Sequence, residues 1–285
     1  MDIKRVVITG MGALTPVGNS VDEYWESLIA GKSGAEPITK FDASLFKTQF
    51  ACEVKNFDPL DIMNRKEARK LDLFSIYALA TSNEAIIDSG IDLEKVNLNR
   101  AGVVWGSGIG GIKTFQEECF NFKDGEGPPR FNPFFVPKMI VDIAAGHISM
   151  KYGLRGPNYV TVSACASSNN AIIDSLMLIQ LGKSDFIVTG GSEAGVNIAG
   201  IGGFNALKAL STRNDDPLSA SRPFDAVYTL NPSLERLSDT NSKMSTSSST
   251  IRTFGSKLVM GEIIFKVHVA LFPSNIYLNQ TEKLT

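Results

Sequence analysis

Residues 158–191 read NYVTVSACASSNNAIIDSLMLIQLGKSDFIVTGG, the pattern of a strand, a cysteine-bearing turn, an apolar helix and a second strand. Tyr159 to Val162 is short, β-branched and aromatic, the composition of a strand. Ala171 to Leu181 carries apolar residues almost all round, broken mainly by Asp174, Ser175 and Gln180, which predicts a helix inside a layered domain. A second apolar run, closed by Gly190 and Gly191, predicts another strand.

Cys165 falls where strand becomes helix, beside free backbone N–H groups at the positive end of the helix dipole. A helix terminus contributes about 0.3–1 kcal/mol in favour of an anion, so it favours thiolate over thiol but leaves a nucleophile that still wants a basic partner. The small neighbours Ser163, Ala164, Ala166, Ser167 and Ser168 leave room for a substrate carbonyl. The same position also suits an inert thiol, because free cysteine is among the most buried residue types. A hydrolase elbow needs Gly-x-nucleophile-x-Gly, and Ser163 and Ser167 occupy the glycine positions.

Outward from this core, Arg5 to Thr9 reads as a strand, followed by a glycine-rich turn and a helix over 20–30 with Ser20 as N-cap. AGKSG at 30–34 is no Walker A loop, because Glu26 stands where that motif requires glycine. After a mixed stretch over 37–64, residues 64–90 predict one long helix with Arg65, Lys66, Arg69 and Lys70 near its start. Spacings of three and four put several of these cations on one exposed face. Arg100 to Trp105 reads as a strand, and Gly106, Gly108 and Gly111 after it satisfy GxGxxG. Dinucleotide binding would require a second strand ending in Asp or Glu about twenty residues on. The sequence there is DGEGPPRFNPFFVP instead. His147, on an apolar helical stretch over 141–152, reads as a structural residue.

TVSACASSNNAI, together with RVVITGMGALTPVGN, GSGIGG, NPFFVPKMI, YGLRGPN, VTGGSEA and GGFNALKALSTRNDDPLSASRPFD, resembles the bacterial β-ketoacyl-acyl carrier protein synthases of the thiolase superfamily. The likeness runs in order from Lys4 to Asp225. It implies an α/β, thiolase-like fold with a layered mixed sheet and a buried nucleophile helix. It implies that Cys165 is the acyl-accepting nucleophile. By the same likeness Ile109, Phe135 and Phe204 border an acyl pocket, with Phe134 and Phe135 near a homodimer interface. Lys66, Arg69 and Lys70 would contact acyl carrier protein, and no cofactor or metal is implied.

The resemblance divides the chain into a thiolase-like domain over 1–225 and a divergent tail over 226–285. Ser/Thr-rich sequence with weak periodicity over 226–257 suggests a poorly ordered linker. Residues 258–272 could form a strand pair or an amphipathic segment, and VMGE at Val259–Glu262 echoes a family string. The family's two catalytic histidine motifs and its lysine do not follow, and His268 lacks the surrounding pattern. The expectation is therefore a truncated or frame-disrupted condensing enzyme with little activity and an uncovered apolar face. The alternative is a non-catalytic, carrier-binding or dimerising fragment.

Composition fits these readings. The chain has 285 residues, 43% of them hydrophobic and 20% charged, with a net charge of -2. This balance gives no global case for nucleic-acid or membrane-surface binding. Cys52, Cys119 and Cys165 show no CxxC spacing, and no apolar run approaches the ~20 residues that span a bilayer. A reduced, cytoplasmic protein is the expectation.

Overall fold

The structure is a computed structural model. It describes residues 4–126, 128 and 130–222, and the backbone of 269–273. The strands are β1 (Val6–Ile8), β2 (Ala35–Pro37), β3 (Phe50–Cys52), β4 (Ala101–Gly106), β5 (Asn158–Thr161), β6 (Phe186–Gly191) and β7 (Val269–Pro273). The helices are α1 (Val21–Ile29), α2 (Arg65–Ala68), α3 (Leu73–Asp88), α4 (Ile112–Asp124), α5 (Phe135–Met139), α6 (Ile143–Tyr152), α7 (Ser167–Gln180) and α8 (Ile198–Ala206).

Among the described residues the main sheet has five strands in the order β1-β7-β6-β4-β5. Strand β4 runs parallel to both β5 and β6, whereas β7 is antiparallel to β1 and β6, so the sheet is mixed. The alternation of side chains along a strand sends Val103 and Trp105 to one face of β4 and Val104 to the other. On the first face Phe186 and Val188 join them against Phe74 of α3 and Ala144, Ala145 and Ile148 of α6. On the second face Val104 and Ile187 meet Ala171 and Ile179 of α7. The result is helix, sheet, helix, with the apolar strand β4 at its centre.

Helix α7 turns Ala171, Ser175 and Ile179 inward at intervals of four. Leu178 packs partly buried against the same core, but an outer row is left uncovered: Ile173 is 50% exposed, Met177 46% and Leu181, just past the helix end, 62%. The sequence is apolar around the helix because two faces carry apolar residues, and the structure covers one of them.

Two expectations about elements change. The long helix over 64–90 is two helices. Asn64 closes a capping box on α2 with Glu67, and Asp72 then caps α3 by accepting from the Phe74 N–H. Asp72 is buried and also accepts from the backbone N–H and hydroxyl of Thr114 at 3.0 and 2.6 Å, which ties the break to α4. A start signal inside a helical pattern was read as part of the pattern. Within 258–272 the backbone forms β7 at its end, between β1 and β6; the remainder, including Val259–Glu262 and His268, lies outside the described residues. Among the described residues no helix is long and apolar enough to cross a membrane.

Candidate active site

Cys165 lies in a 3₁₀ turn, Ala164–Ala166, between β5 and α7, and its residue is exposed. Within it Ala164 takes the left-handed conformation at φ 51°, which an L-residue adopts at a cost of about 1–2 kcal/mol. Hydrogen bonds hold it there. The Ser167 hydroxyl donates to the Ala164 carbonyl at 2.8 Å and accepts from the Ser163 N–H at 2.9 Å. Thr161 Oγ1 donates to the Ser167 carbonyl at 2.7 Å, and Asn170 Nδ2 donates to Ser163 Oγ at 2.7 Å. Ala166, the N-cap of α7, offers no side-chain cap, so the cysteine stands at an uncapped helix N-terminus.

The sheet makes room for this turn with glycine. A Cβ at Gly106, the last residue of β4, would fall 2.5 Å from the Ser167 carbonyl carbon and the Ser168 nitrogen. One at Gly191, the last residue of β6, would fall 2.0 Å from Ser168 Oγ. The start of α7 thus rests directly on the carboxyl ends of two parallel strands, where open α/β sheets place their sites. Just beyond, the buried Trp105 indole donates to Ser192 Oγ at 2.9 Å.

The loop after β4 forms the neighbouring wall. Glu193 accepts from the backbone N–H groups of Gly108 and Ile109 at 2.7 and 3.0 Å, with the Ser107 hydroxyl at 3.4 Å. Burial pushes the Glu193 carboxyl above its ordinary value, and the N–H bonds pull the other way. This arrangement disposes of the dinucleotide reading of the GxGxxG pattern. Backbone N–H groups that would cradle a phosphate already serve a carboxylate. The glycines answer to packing: Gly106 against α7, and Gly111 with its Cβ position 2.3 Å from the Lys138 carbonyl.

The other residues singled out from sequence separate into groups. Ile109 is 39% exposed on that same loop. Phe135, on α5, stacks on Phe131 at 5.6 Å and Phe115 at 6.2 Å. Phe204, on α8, packs beside Ile201 and Leu210 with Ile38, Phe41 and Phe46 in a small core of its own. Lys66, Arg69 and Lys70 are exposed around α2, and the Lys70 ammonium sits 5.5 Å over the Phe134 ring. His147 is half-buried on α6, and burial lowers its pKa. Cys119 is exposed on α4, whereas Cys52 is half-buried and burial pushes its thiol up. Among the described residues no group of His, Cys, Asp or Glu could hold a metal ion.

Sequence reasoning gave Ser163 and Ser167 no part in holding the turn, and it gave Glu193 no role. The signal for Glu193 was available, since one acid directly after a buried strand and two glycines needs partners. Nothing in the sequence marks Ala164 as left-handed.

A model described as Beta-ketoacyl synthase, N-terminal domain, matches residues 3–231, and the chain belongs to this family. Over 225 residues it is 44% identical to 3-oxoacyl-acyl-carrier-protein synthase 2 of Synechocystis sp., covering 79% of this chain and 54% of that one. The same enzyme of Staphylococcus aureus is 45% identical over 221 residues, covering 78% and 53%. A crystal structure of a β-ketoacyl synthase from Burkholderia phymatum superimposes with a TM-score of 0.77 at 28% identity, covering 98% of this chain and 61% of that one. The fold is therefore the thiolase-like α/β arrangement expected, and the chain spans about half the length of the sequence relatives it matches.

Proposed function

We propose that this chain carries the acyl-accepting part of a β-ketoacyl-acyl carrier protein synthase of fatty-acid biosynthesis, with Cys165 as the nucleophile. One observation carries the reading: an exposed cysteine on a braced left-handed turn at the uncapped start of α7. The Cys165 thiolate attacks the carbonyl carbon of an acyl thioester on the carrier protein. A bond forms from Sγ to that carbon, the carbon–sulfur bond to the carrier breaks, and the departing carrier thiolate takes up the proton that Cys165 released. Backbone N–H groups at the start of α7 lie at the end of the helix where negative charge is favoured.

In the full reaction a malonyl-carrier carbanion would then attack the Cys165 thioester and lengthen the chain by two carbons. That stage requires groups that stabilise an enolate. The histidines of this sequence are His147 and His268, and neither lies in the motifs the resemblance assigns to that task. The residues of this chain accordingly support acyl transfer and give no support to condensation.

Ile109, on the loop beside the Cys165 turn, is the wall residue for the acyl chain; Phe135 and Phe204 are assigned the same role on resemblance alone. The exposed cations Lys66, Arg69 and Lys70 would receive the acidic carrier protein, since a local patch steers a partner even when net charge is near zero. Incubation with acyl-carrier protein, followed by peptide mapping, tests the reading. The acyl mass should appear on Cys165 and vanish in Cys165→Ala. Acylation of Cys119 alone, or of no cysteine, would defeat it.

A second reading rests on the uncovered row Ile173, Met177 and Leu181, which suits a binding or dimerising role through α7. Self-association without acylation at Cys165, measured by sedimentation and mass spectrometry, would select it.

A further inference from the structure

The Cys165 turn does not stand alone. Gly108, in the loop after β4, is close to both it and Glu193. A Cβ at Gly108 would stand 3.1 Å from Glu193 Oε2, 3.6 Å from the Ala164 carbonyl and 3.8 Å from Ala164 Cα. The loop thus lies against both the carboxylate and the Cys165 turn. Glu193 Oε2 takes both the Gly108 and the Ile109 N–H, and the Ser107 hydroxyl, which lies by Oε1, also accepts from the Gly110 N–H at 3.2 Å. One side chain, carried by the segment after β6, therefore organises the backbone of a loop that follows β4. The only large apolar side chain on that loop is Ile109, and it projects to the surface at 39% exposure.

We propose that Glu193 is a positioning residue that fixes where Ile109 stands relative to Cys165, and so sets how well the site receives an apolar tail attached to the reacting carbonyl. The inference deepens, and rests on, the reading of Cys165 as an acyl acceptor. A neutral amide at this position could not accept from both N–H groups through one oxygen with the strength of a carboxylate, because bonds to an ionised acceptor are roughly twice as strong. The loop should loosen, Ile109 should lose its fixed place, and discrimination between short and long acyl groups should fall. The reactivity of the thiol itself should not, because Glu193 touches the loop and not the turn's own hydrogen bonds.

The experiment uses two alkylating reagents with one warhead, iodoacetamide and N-octyl iodoacetamide, with site-resolved mass spectrometry at Cys165 in the wild type and in Glu193→Gln. Amide exchange at Gly108 and Ile109 is followed in parallel. In Glu193→Gln, exchange at these two amides should accelerate about tenfold or more, since a bond to a charged acceptor is lost. The octyl-to-short rate ratio at Cys165 should fall about fivefold, the scale on which a hydrophobic wall discriminates, while the iodoacetamide rate stays within about twofold of wild type. Faster exchange with an unchanged ratio would reduce Glu193 to a brace for the loop and overturn the proposal. So would wild-type amides at Gly108 and Ile109 that exchange as fast as an open loop, a result that does not depend on how the variant folds. If wild-type Cys165 resists both reagents, the acyl-acceptor reading falls, and the exchange measurement separately decides whether Glu193 holds the loop.

Discussion

Ser167 Oγ lies 2.8 Å from the carbonyl oxygen of Ala164, and this one hydroxyl, buried at 4% exposure, closes the turn on which Cys165 is displayed. It also accepts the Ser163 N–H, so Ser167→Ala leaves a donor and an acceptor without their partner. The variant should lose about 1–2 kcal/mol of stability, and Cys165 should alkylate more slowly because the turn is no longer held. Urea unfolding and iodoacetamide kinetics measure the two effects. Unchanged alkylation would mean that the turn is held by other bonds.

Ala164 bears the strained angle at φ 51°. Replacing it with Val, which tolerates this region far less, should cost about 1–2 kcal/mol beyond Ala. Ala164→Gly should be close to neutral, as strain relief offsets greater freedom in the unfolded chain. Thermal unfolding of the pair is the check, and equal stability of the two variants would refute the assigned backbone conformation.

Gly106→Ala should be among the most damaging single changes. Its new methyl would meet backbone of α7 at 2.5 Å, and backbone cannot swing aside as a side-chain tip can. A loss of about 3 kcal/mol is expected. Gly203, inside α8 with nothing within 4 Å of its Cβ position, is the control: alanine there should stabilise by about 0.5–1 kcal/mol. Chemical denaturation of both separates steric conflict from general intolerance of alanine.

Among the described strands β1 joins the sheet through β7 alone. Leu271 of β7 is in register with Ile8 on one side and Ile187 on the other. Leu271→Pro removes a backbone donor and should break this ladder. Amides of Val6–Ile8 should then exchange much faster, while those of β4, paired with β5 and β6, keep their protection. Retained protection in β1 would show that another segment holds it.

Burial lowers the pKa of His147 from 6.5. The unfolded chain therefore binds its proton first, and the contribution to stability is complete above about pH 6.5 and lost as pH falls through the lower folded value. Glu84 and Glu193 act in the opposite sense. Their raised values contribute stability that is present below the ordinary glutamate range and lost as pH rises through the folded values. Comparing wild type with His147→Gln between pH 5 and about 7.5 isolates the histidine. The variant should show a flatter decline on acidification, and parallel curves would show that His147 does not contribute.

The sequence reveals the strand–helix–strand centre because periodicity is strongest where both faces of an element are buried or apolar. Val103 to Trp105 and Phe186 to Val188 could hardly be anything but interior strands. The break at Asp72 was hidden because Asp is also tolerated on a helix surface, and only its contact with Thr114 fixes it as a cap. The placement of Cys165 between strand and helix was legible from the residues on either side of it. Glu193 and the left-handed Ala164 were not, because each acts through partners distant in sequence or through a backbone angle that residue type does not encode. Phe204, named for a pocket on resemblance, lies partly buried beside Ile201 and Leu210.

The pairing of Val6 with Pro273 joins the start of the described chain to its end across an interior position of the sheet. On a ribosome, β1 is translated well before the strand it pairs with, so it must wait for its neighbour. Until that later segment is translated, β6 lacks its β7 neighbour and β1 has no seat among the described strands, which leaves a sheet edge open to wrong pairings.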